Sequence, residues 1–436
     1  MNNIESHYND CRFTDIRIYI FGVLSFVLLF FSVVSGAESE DKKTIMELRQ
    51  QLSHLTQRTE KLERQQVEKQ LVLNQAPIAS HSFNVSGRIR METIANWPSV
   101  GGNGGSNSGD YFFLPVYIPT NDSGERGQLS LSARNSRLRF TTKKMAGTKA
   151  AITNVEVDFW GSAGNERITN SHNPRLRHAY ANVAGLTFGQ TNTNFMHSDT
   201  WPISISNPVG VVIVRQPLVA YSTQNGTNNF AVSLEQPEST LLDDSGTRVT
   251  PDDDRFPDMT LRWISKQPWG KFFISGLLRE IRADGFVSGV KDEALGGALH
   301  ISGRLNLLHK DNLRLGVAYG NAFGRYTGYN LMMDGSINKQ GKISLHPTTS
   351  AYASYQHWWN ERWKSVVAVG FLHTKNDRSI VPLTVPEWAA SYHANIGVSL
   401  WKNVFVGVEY SHAKKVLENK QVGKLGRVLL VSNYNF

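Results

Sequence analysis

The chain changes its hydrophobic period once. Ile45, Leu48, Leu52, Leu55 and Leu62, with Thr59 in register, recur at spacings of three and four. That spacing puts them on one stripe of a helix. The flanking positions are almost all charged or Gln, which predicts a coiled-coil helix over residues 38–75. About three heptads are short for a coil standing alone, so the coil is expected where something else brings chains together. The other arrangement is a single amphipathic helix lying on the body of the protein. Pro77 stops the helix, and 76–82 reads as a linker.

From Phe83 the period becomes two. Phe83-Asn84-Val85-Ser86-Gly87-Arg88-Ile89-Arg90-Met91 alternates apolar with polar, and so does Arg137-Leu138-Arg139-Phe140. Val155, Val157 and Phe159 oppose Asn154, Glu156 and Asp158. Leu315, Val317 and Tyr319 oppose Arg314, Gly316 and Ala318. Tyr392, Ala394, Ile396, Val398 and Leu400 oppose Ser391, His393, Asn395, Gly397 and Ser399. Side chains alternate faces along a strand, so these are strands with one apolar side. The other side carries Gly, Ser, Ala, Asn, Arg and Glu. Trp263, Trp269, Trp358, Trp359, Trp363, Trp388 and Trp401 lie near strand ends, where a bilayer interface places aromatics. The Gly101–Gly109 run reads as a loop.

Composition narrows the choice. Hydrophobic residues are 40% of 436, and mean hydropathy is -0.32. A polytopic helical membrane protein is excluded; a soluble sandwich or a membrane barrel is not, since alternation dilutes the apolar content of a barrel. No helical stretch after Leu73 is large enough to cover a sheet this long, and a closed barrel removes its edges. Residues 83–436 are therefore expected to form an all-β transmembrane antiparallel barrel. At about 22 residues per strand and connection this gives roughly 16 strands, or eighteen with short loops. The last stretch, Gly426–Phe436, puts Val428, Leu430, Ser432, Tyr434 and Phe436 on one face. A terminal Phe with an aromatic two positions earlier resembles the closing strand of bacterial outer-membrane barrels, with Tyr434 and Phe436 as the signal read by the barrel assembly machinery.

The run Ile18–Val34 followed by Ser35-Gly36-Ala37 reads as a secretory signal over 1–37, cleaved after Ala37. An uncleaved anchor is the alternative. Cys11 is the single cysteine and leaves with the signal, so neither disulfides nor thiol chemistry is expected. The expected location is the bacterial outer membrane, with the coiled coil in the periplasm and outer-membrane lipid and lipopolysaccharide as neighbours. A net charge of +9 allows nucleic acid, anionic lipid or small anions as partners. The absence of nucleic-acid motifs removes the first.

Residues 191–214 do not alternate. They contain Pro202, Pro208 and Gly210 and are too apolar for a solvated loop. The expectation is a loop folded against the inner wall, narrowing the channel; a loop at a subunit contact is the alternative. Arginines surround it. Arg137, Arg139, Arg175, Arg177 and Arg215 flank the segment, and Arg262, Arg304 and Arg314 sit on polar faces of later strands. Arginine keeps its charge and presents a fork matched to carboxylate, sulfate or phosphate. Grouped around a constriction, such residues select anions. Individually they could equally pair with Glu156, Asp158 and Glu166 and brace the wall.

The order of motifs resembles the DcaP-like porins: the coiled-coil opening, Ser132–Phe140 (S-A-R-N-S-R-L-R-F), Asp158–Asn165 (D-F-W-G-S-A-G-N), Arg175–Tyr180 (R-L-R-H-A-Y), Gly189–Thr191, Pro208–Pro217 and the terminal Phe. The resemblance implies a homotrimer of 16-stranded barrels with an N-terminal coiled coil. It also implies diffusion of small anions such as dicarboxylates past arginines, carried here onto Arg137, Arg139, Arg175, Arg177 and Arg215. The family's G-Q-T-W-S-T-F-M is here Gly189–Met196 without that Trp, so the resemblance does not carry over which anion passes.

Two other classes were weighed. A hydrolase needs a nucleophile, a base and an orienting partner. His178, His300 and His393 fall on predicted inner faces, but none sits in a Ser/His motif, and no metal-ligand spacing or phosphate loop appears. No catalytic residue, metal or cofactor is expected. A trimeric adhesin shares one barrel among three chains and keeps most of each chain outside it, the reverse of the proportions here.

Overall fold

The computed structural model describes residues 39–75, 81–98, 115–120, 127–146, 149–162, 168–251, 254–284, 291–329 and 331–436. The expected signal segment, the Gly101–Gly109 run and most of the expected linker lie outside them. The chain divides into two units, at Ala79/Ser80. In the first, helix α1 spans Ser39–Gln75. Leu48, Leu52, Leu55 and Leu62 on it are 41–59% exposed, an uncovered apolar stripe. The side chain of Ile45 is outside the described set.

The second unit is a closed antiparallel barrel. Its strands are β1 (His81–Trp97), β2 (Gln128–Ser132 continuing as Arg137–Ala146), β3 (Lys149–Asp158) and β4 (Arg175–Val183). Next come β5 (Leu186–Asn192), β6 (Arg215–Asn225), β7 (Asn228–Glu235) and β8 (Asp258–Gln267). Then follow β9 (Gly270–Asp284), β10 (Lys291–Asn306), β11 (Asn312–Gly320) and β12 (Thr348–Trp358). The last are β13 (Trp363–Thr374), β14 (Pro386–Trp401), β15 (Val404–Leu417) and β16 (Val422–Asn435). The two parts of β2 form one stave, the first pairing with the end of β1 and the second with its start. That makes sixteen staves from a sheet of seventeen segments. All come from one chain, which removes the adhesin arrangement. β1 begins at His81 because alternation already holds at His81 and Ser82, paired to Lys144 and Lys143. The expected linker is shorter by those two residues.

Closure is made by β16 against β1, from Arg88↔Asn435 to Trp97↔Gly426. Phe436 extends it: its N–H donates to the Gly87 carbonyl (3.1 Å) and its carbonyl accepts the Gly87 N–H (2.9 Å). A Cβ on Gly87 would sit 2.7 Å from the Phe436 ring and 2.3 Å from the Arg137 carbonyl, so that position needs glycine. The Tyr434 and Phe436 rings stack at 6.4 Å.

The core is inverted. Leu261, Tyr319 and Val367 are 66%, 61% and 55% exposed on the outside. Thr260, Ala318 and Ala368 on the same strands are buried inside. An apolar exterior is stable in hydrocarbon, and closure satisfies every backbone group there. Trp269, Trp359, Trp363 and Trp401 are exposed at the end where strands join by turns. Tight turns such as Ala184-Gly185, with both φ positive, connect strands there. The opposite end carries the long loops. There Leu241–Leu242, Arg248–Val249, Gly335–Ile337 and Ile343–Leu345 form a small second sheet. Arg279 on β9 ties it down, buried between Asp258 (2.9 Å) and Asp334 (3.0 Å).

Candidate functional site

The non-alternating segment begins at Thr193, since β5 keeps Thr191 and Asn192, and it ends at Val214. It lies inside the barrel. The Asn194 N–H donates to Glu235 on β7 (2.8 Å), and the Phe195 carbonyl meets His300 Nδ1 on β10 (2.9 Å). Further on, the Ile203 N–H donates to Ser354 on β12 (3.0 Å) and the Val209 N–H to Ser391 on β14 (2.9 Å). All these partners are on inward faces, so the loop tracks around the wall from β7 to β15. Its apolar residues Phe195, Met196 and Val212 pack on Leu277, Ala318, Phe323 and Tyr326. A segment with this composition inside a polar barrel needs such a pocket.

Glu409 on β15 pins the tip. It is fully buried and accepts from the Ile205 N–H (2.7 Å), the Ser206 N–H (2.9 Å), Ser204 Oγ (2.7 Å), Asn395 Nδ2 (2.8 Å) and Ser206 Oγ. Nothing in its local sequence marks Glu409 for this, because its loop partners are about two hundred residues away in the chain.

Across from the tip, β1–β6 carry a basic wall. Arg177 Nε donates to Glu156 (2.7 Å) and its Nη1 to Asp158 (2.8 Å). Arg175 reaches Asp158 (2.7 Å), Arg137 stands 3.7 Å from Glu156, and Arg139 pairs with Glu156. Arg215 makes no ion pair among the described residues but lies within electrostatic reach of Arg175, Arg177, Glu156 and Asp158. The bracing pairs and the cationic surplus are both present. Counting Arg88 and Arg90, seven guanidiniums stand with three carboxylates, Glu92, Glu156 and Asp158.

Arg88 was not among the arginines singled out from sequence. It sits opposite Arg137 across the β1–β2 pair and donates to Asn135 Oδ1 (2.7 Å). The alternation of β1 alone puts it on the Arg90 side and gives the signal that could have found it. Arg175-Leu176-Arg177-His178 also departs from simple alternation. The register slips between Glu156 and Val157, leaving Arg177 as the extra residue of a β-bulge. Arg177 and His178 can then both face inward, His178 toward Thr191 (3.0 Å).

A cavity of about 220 Å³ lies between this wall and the loop tip, with Arg88, Arg90, Arg137, Asn135 and the carboxylate Glu92 on one side and Ser204–Asn207 and Tyr329 on the other. Asn207 donates to the Tyr329 hydroxyl. Burial pushes the Tyr329 phenol well above its ordinary pKa, so it stays protonated. Arg262 and Arg304 do not join this wall. They belong with Lys271 and Arg314 on β8–β11, where Arg262 donates to Asn229 (3.2 Å) and Arg314 to the Trp201 carbonyl (2.9 Å). Lys271 pairs with Asp199 of the loop.

A barrel of sixteen strands closed within one chain, apolar outside and polar inside, with a loop hydrogen-bonded to its inner wall, defines an outer-membrane channel of the porin class. The chain belongs to the DcaP family: the DcaP outer membrane protein family matches residues 31–436. The fold is similar to that of the outer membrane channel DcaP of Acinetobacter baumannii, with TM-score 0.69 and 19% identity over 83% of this chain and 99% of that one. It is less similar to OmpT of Vibrio cholerae in its trimer form, with TM-score 0.51 and 11% identity over 82% and 100% of the two chains. An anion-selective porin from Comamonas acidovorans matches with TM-score 0.50 and 13% identity over 82% and 100%. No curated protein sequence matches.

Proposed function

We propose that this outer-membrane porin is a homotrimeric diffusion channel selecting small anions, dicarboxylates among them, at the cavity between the basic wall and the loop tip. The surplus of guanidiniums over carboxylates on that wall carries the reading. Three carboxylates cannot neutralise seven arginines, and in a narrow low-dielectric passage the remainder attracts anions. Arg88 and Arg137 present guanidinium forks to the cavity, and a carboxylate is the group those forks match. Arg262 and Arg304 form a second positive station along the same path. The anion-selective porin from Comamonas acidovorans, which shares the fold, agrees with this reading. Helix α1 belongs in the periplasm as a coiled coil joining three chains, since β1 starts at the turn end, which faces the periplasm in such barrels. The trimer form of OmpT from Vibrio cholerae supports the stoichiometry.

Planar bilayers under a KCl gradient test the selectivity. The expected reversal potential favours chloride. The Arg137→Ala/Arg139→Ala double variant lowers the anion-to-cation permeability ratio severalfold, since one charge at 4 Å is worth about 1 kcal/mol in water-like surroundings. Cation preference in the parent, or an unchanged ratio in the variant, overturns the reading.

A further inference from the structure

The outward face of β13–β16 carries a cationic group that the channel does not use. Lys414 on β15 and Lys424 on β16 are direct cross-strand partners. Their neighbours Lys415, Gly423 and Leu425 are buried toward the inside, so both lysines point out. Like charges directly opposite on one face repel, and neither lysine has a carboxylate within ion-pair distance among the described residues. Lys414 Nζ lies 5.0 Å over the Trp388 ring. Outward His412 stacks on Tyr392 (5.2 Å), one position toward the turns on the same face, and His373 is paired across from Trp388.

Height fixes what this group meets. Trp97 and Tyr410 stack at 6.1 Å on the outward face, and Trp97 pairs with Gly426. Lys424 is two residues nearer the loop end than Gly426, about 7 Å farther along the strand. Trp388 pairs with Val416, one same-face position farther out again, so the lysines stand between two levels of outward aromatics, in the interfacial zone where headgroups meet the barrel. Two other groups of outward charge on the same rim are compensated. Arg255 pairs with Glu280 (2.8 Å) and Glu293 (2.9 Å), and Lys420 with Glu387 (2.6 Å). Those pairs also leave no free outward carboxylate among them to meet these lysines from a second copy.

We infer that Lys414 and Lys424, with His412 and Trp388, bind the phosphorylated sugar headgroup of an outer-leaflet glycolipid of the lipid A type. Two ammonium groups held together among interfacial aromatics match adjacent phosphates, and sugar rings pack on aromatic faces. The inference rests on outer-membrane placement and not on anion selectivity, so lipid binding and bilayer selectivity fail separately.

The test is native mass spectrometry of the full chain in detergent with bisphosphorylated lipid A added. Wild type is expected to retain the glycolipid, and to lose it when the same lipid is stripped of its phosphates. Lys414→Gln/Lys424→Gln is expected to weaken retention about 30-fold, at roughly fivefold per cation near an anionic surface. Lys414→Arg/Lys424→Arg and Lys310→Gln at the turn end retain it. Equal binding of phosphate-free lipid, or a Gln double variant that binds like wild type, overturns the inference. So does a Gln double variant that loses oligomers while keeping lipid, which makes the patch a subunit contact. Should the Gln variant not fold, as judged by heat-modifiable gel mobility, the phosphate-stripped lipid on wild type still decides.

Discussion

A carboxylate inside a channel that attracts anions opposes the field unless its charge is taken up locally. Glu156 and Asp158 are taken up by arginines, but Glu409 is taken up by the loop's backbone N–H groups and two serine hydroxyls together with Asn395 and His393 of β14. Replacing Glu409 with Ala removes the acceptor for the Ile205 and Ser206 N–H groups at a cost on the order of 1–3 kcal/mol for each group left unsatisfied. The barrel itself, held by its strand ladders, stays closed. The expected outcome is a larger and noisier single-channel conductance with unchanged heat-modifiable gel mobility. A conductance equal to wild type would mean that the loop tip is held by something else. The arginine pairs on either side of Glu156 were legible in sequence, because same-face pairs at i and i+2 need only the strand period. Glu409 was legible only as an inward residue. Its partners depend on where a loop two hundred residues away comes to rest, and no local pattern encodes that.

Elements show which departures from alternation matter. The apolar composition of 191–214 was enough to place the loop against a wall, since Phe195, Met196 and Val212 have to be covered. It could not say which wall. That is fixed by small inward residues, and Gly370 on β13 is the tightest of them. A Cβ there would lie 1.7 Å from the Val209 carbonyl. Gly370→Val is therefore expected to push the loop off β13 and to raise single-channel conductance, while the strand ladder to β12 and β14 survives because Val suits a strand. Proteolysis read by mass spectrometry would show new cleavage within 193–214 in folded protein. An uncut loop with wild-type conductance would show that β13 yields instead. The bulge at Arg177 was not legible, because strict alternation cannot put Arg177 and His178 on one face; only the slip between Glu156 and Val157 does so.

At the scale of the whole molecule, two apolar surfaces stand uncovered by any of the described residues. The barrel exterior is covered by hydrocarbon, which explains why alternation, with no long apolar run, was sufficient to read the fold. The stripe on α1 is different: Leu48, Leu52, Leu55 and Leu62 are exposed on a helix about 55 Å long. Burying one leucine stabilises by about 1.5–3 kcal/mol, so three helices joined along the stripe would add appreciably to the stability of the proposed trimer. Leu52→Lys/Leu55→Lys places charges in that seam. The expected result is a lower temperature for dissociation of the oligomer to monomers on semi-native gels, with conductance and ion preference per barrel unchanged, because neither residue belongs to the barrel unit. Dissociation at the wild-type temperature would mean that the stripe is covered by a surface other than its own copies, and the helix would then be an amphipathic one lying on another body.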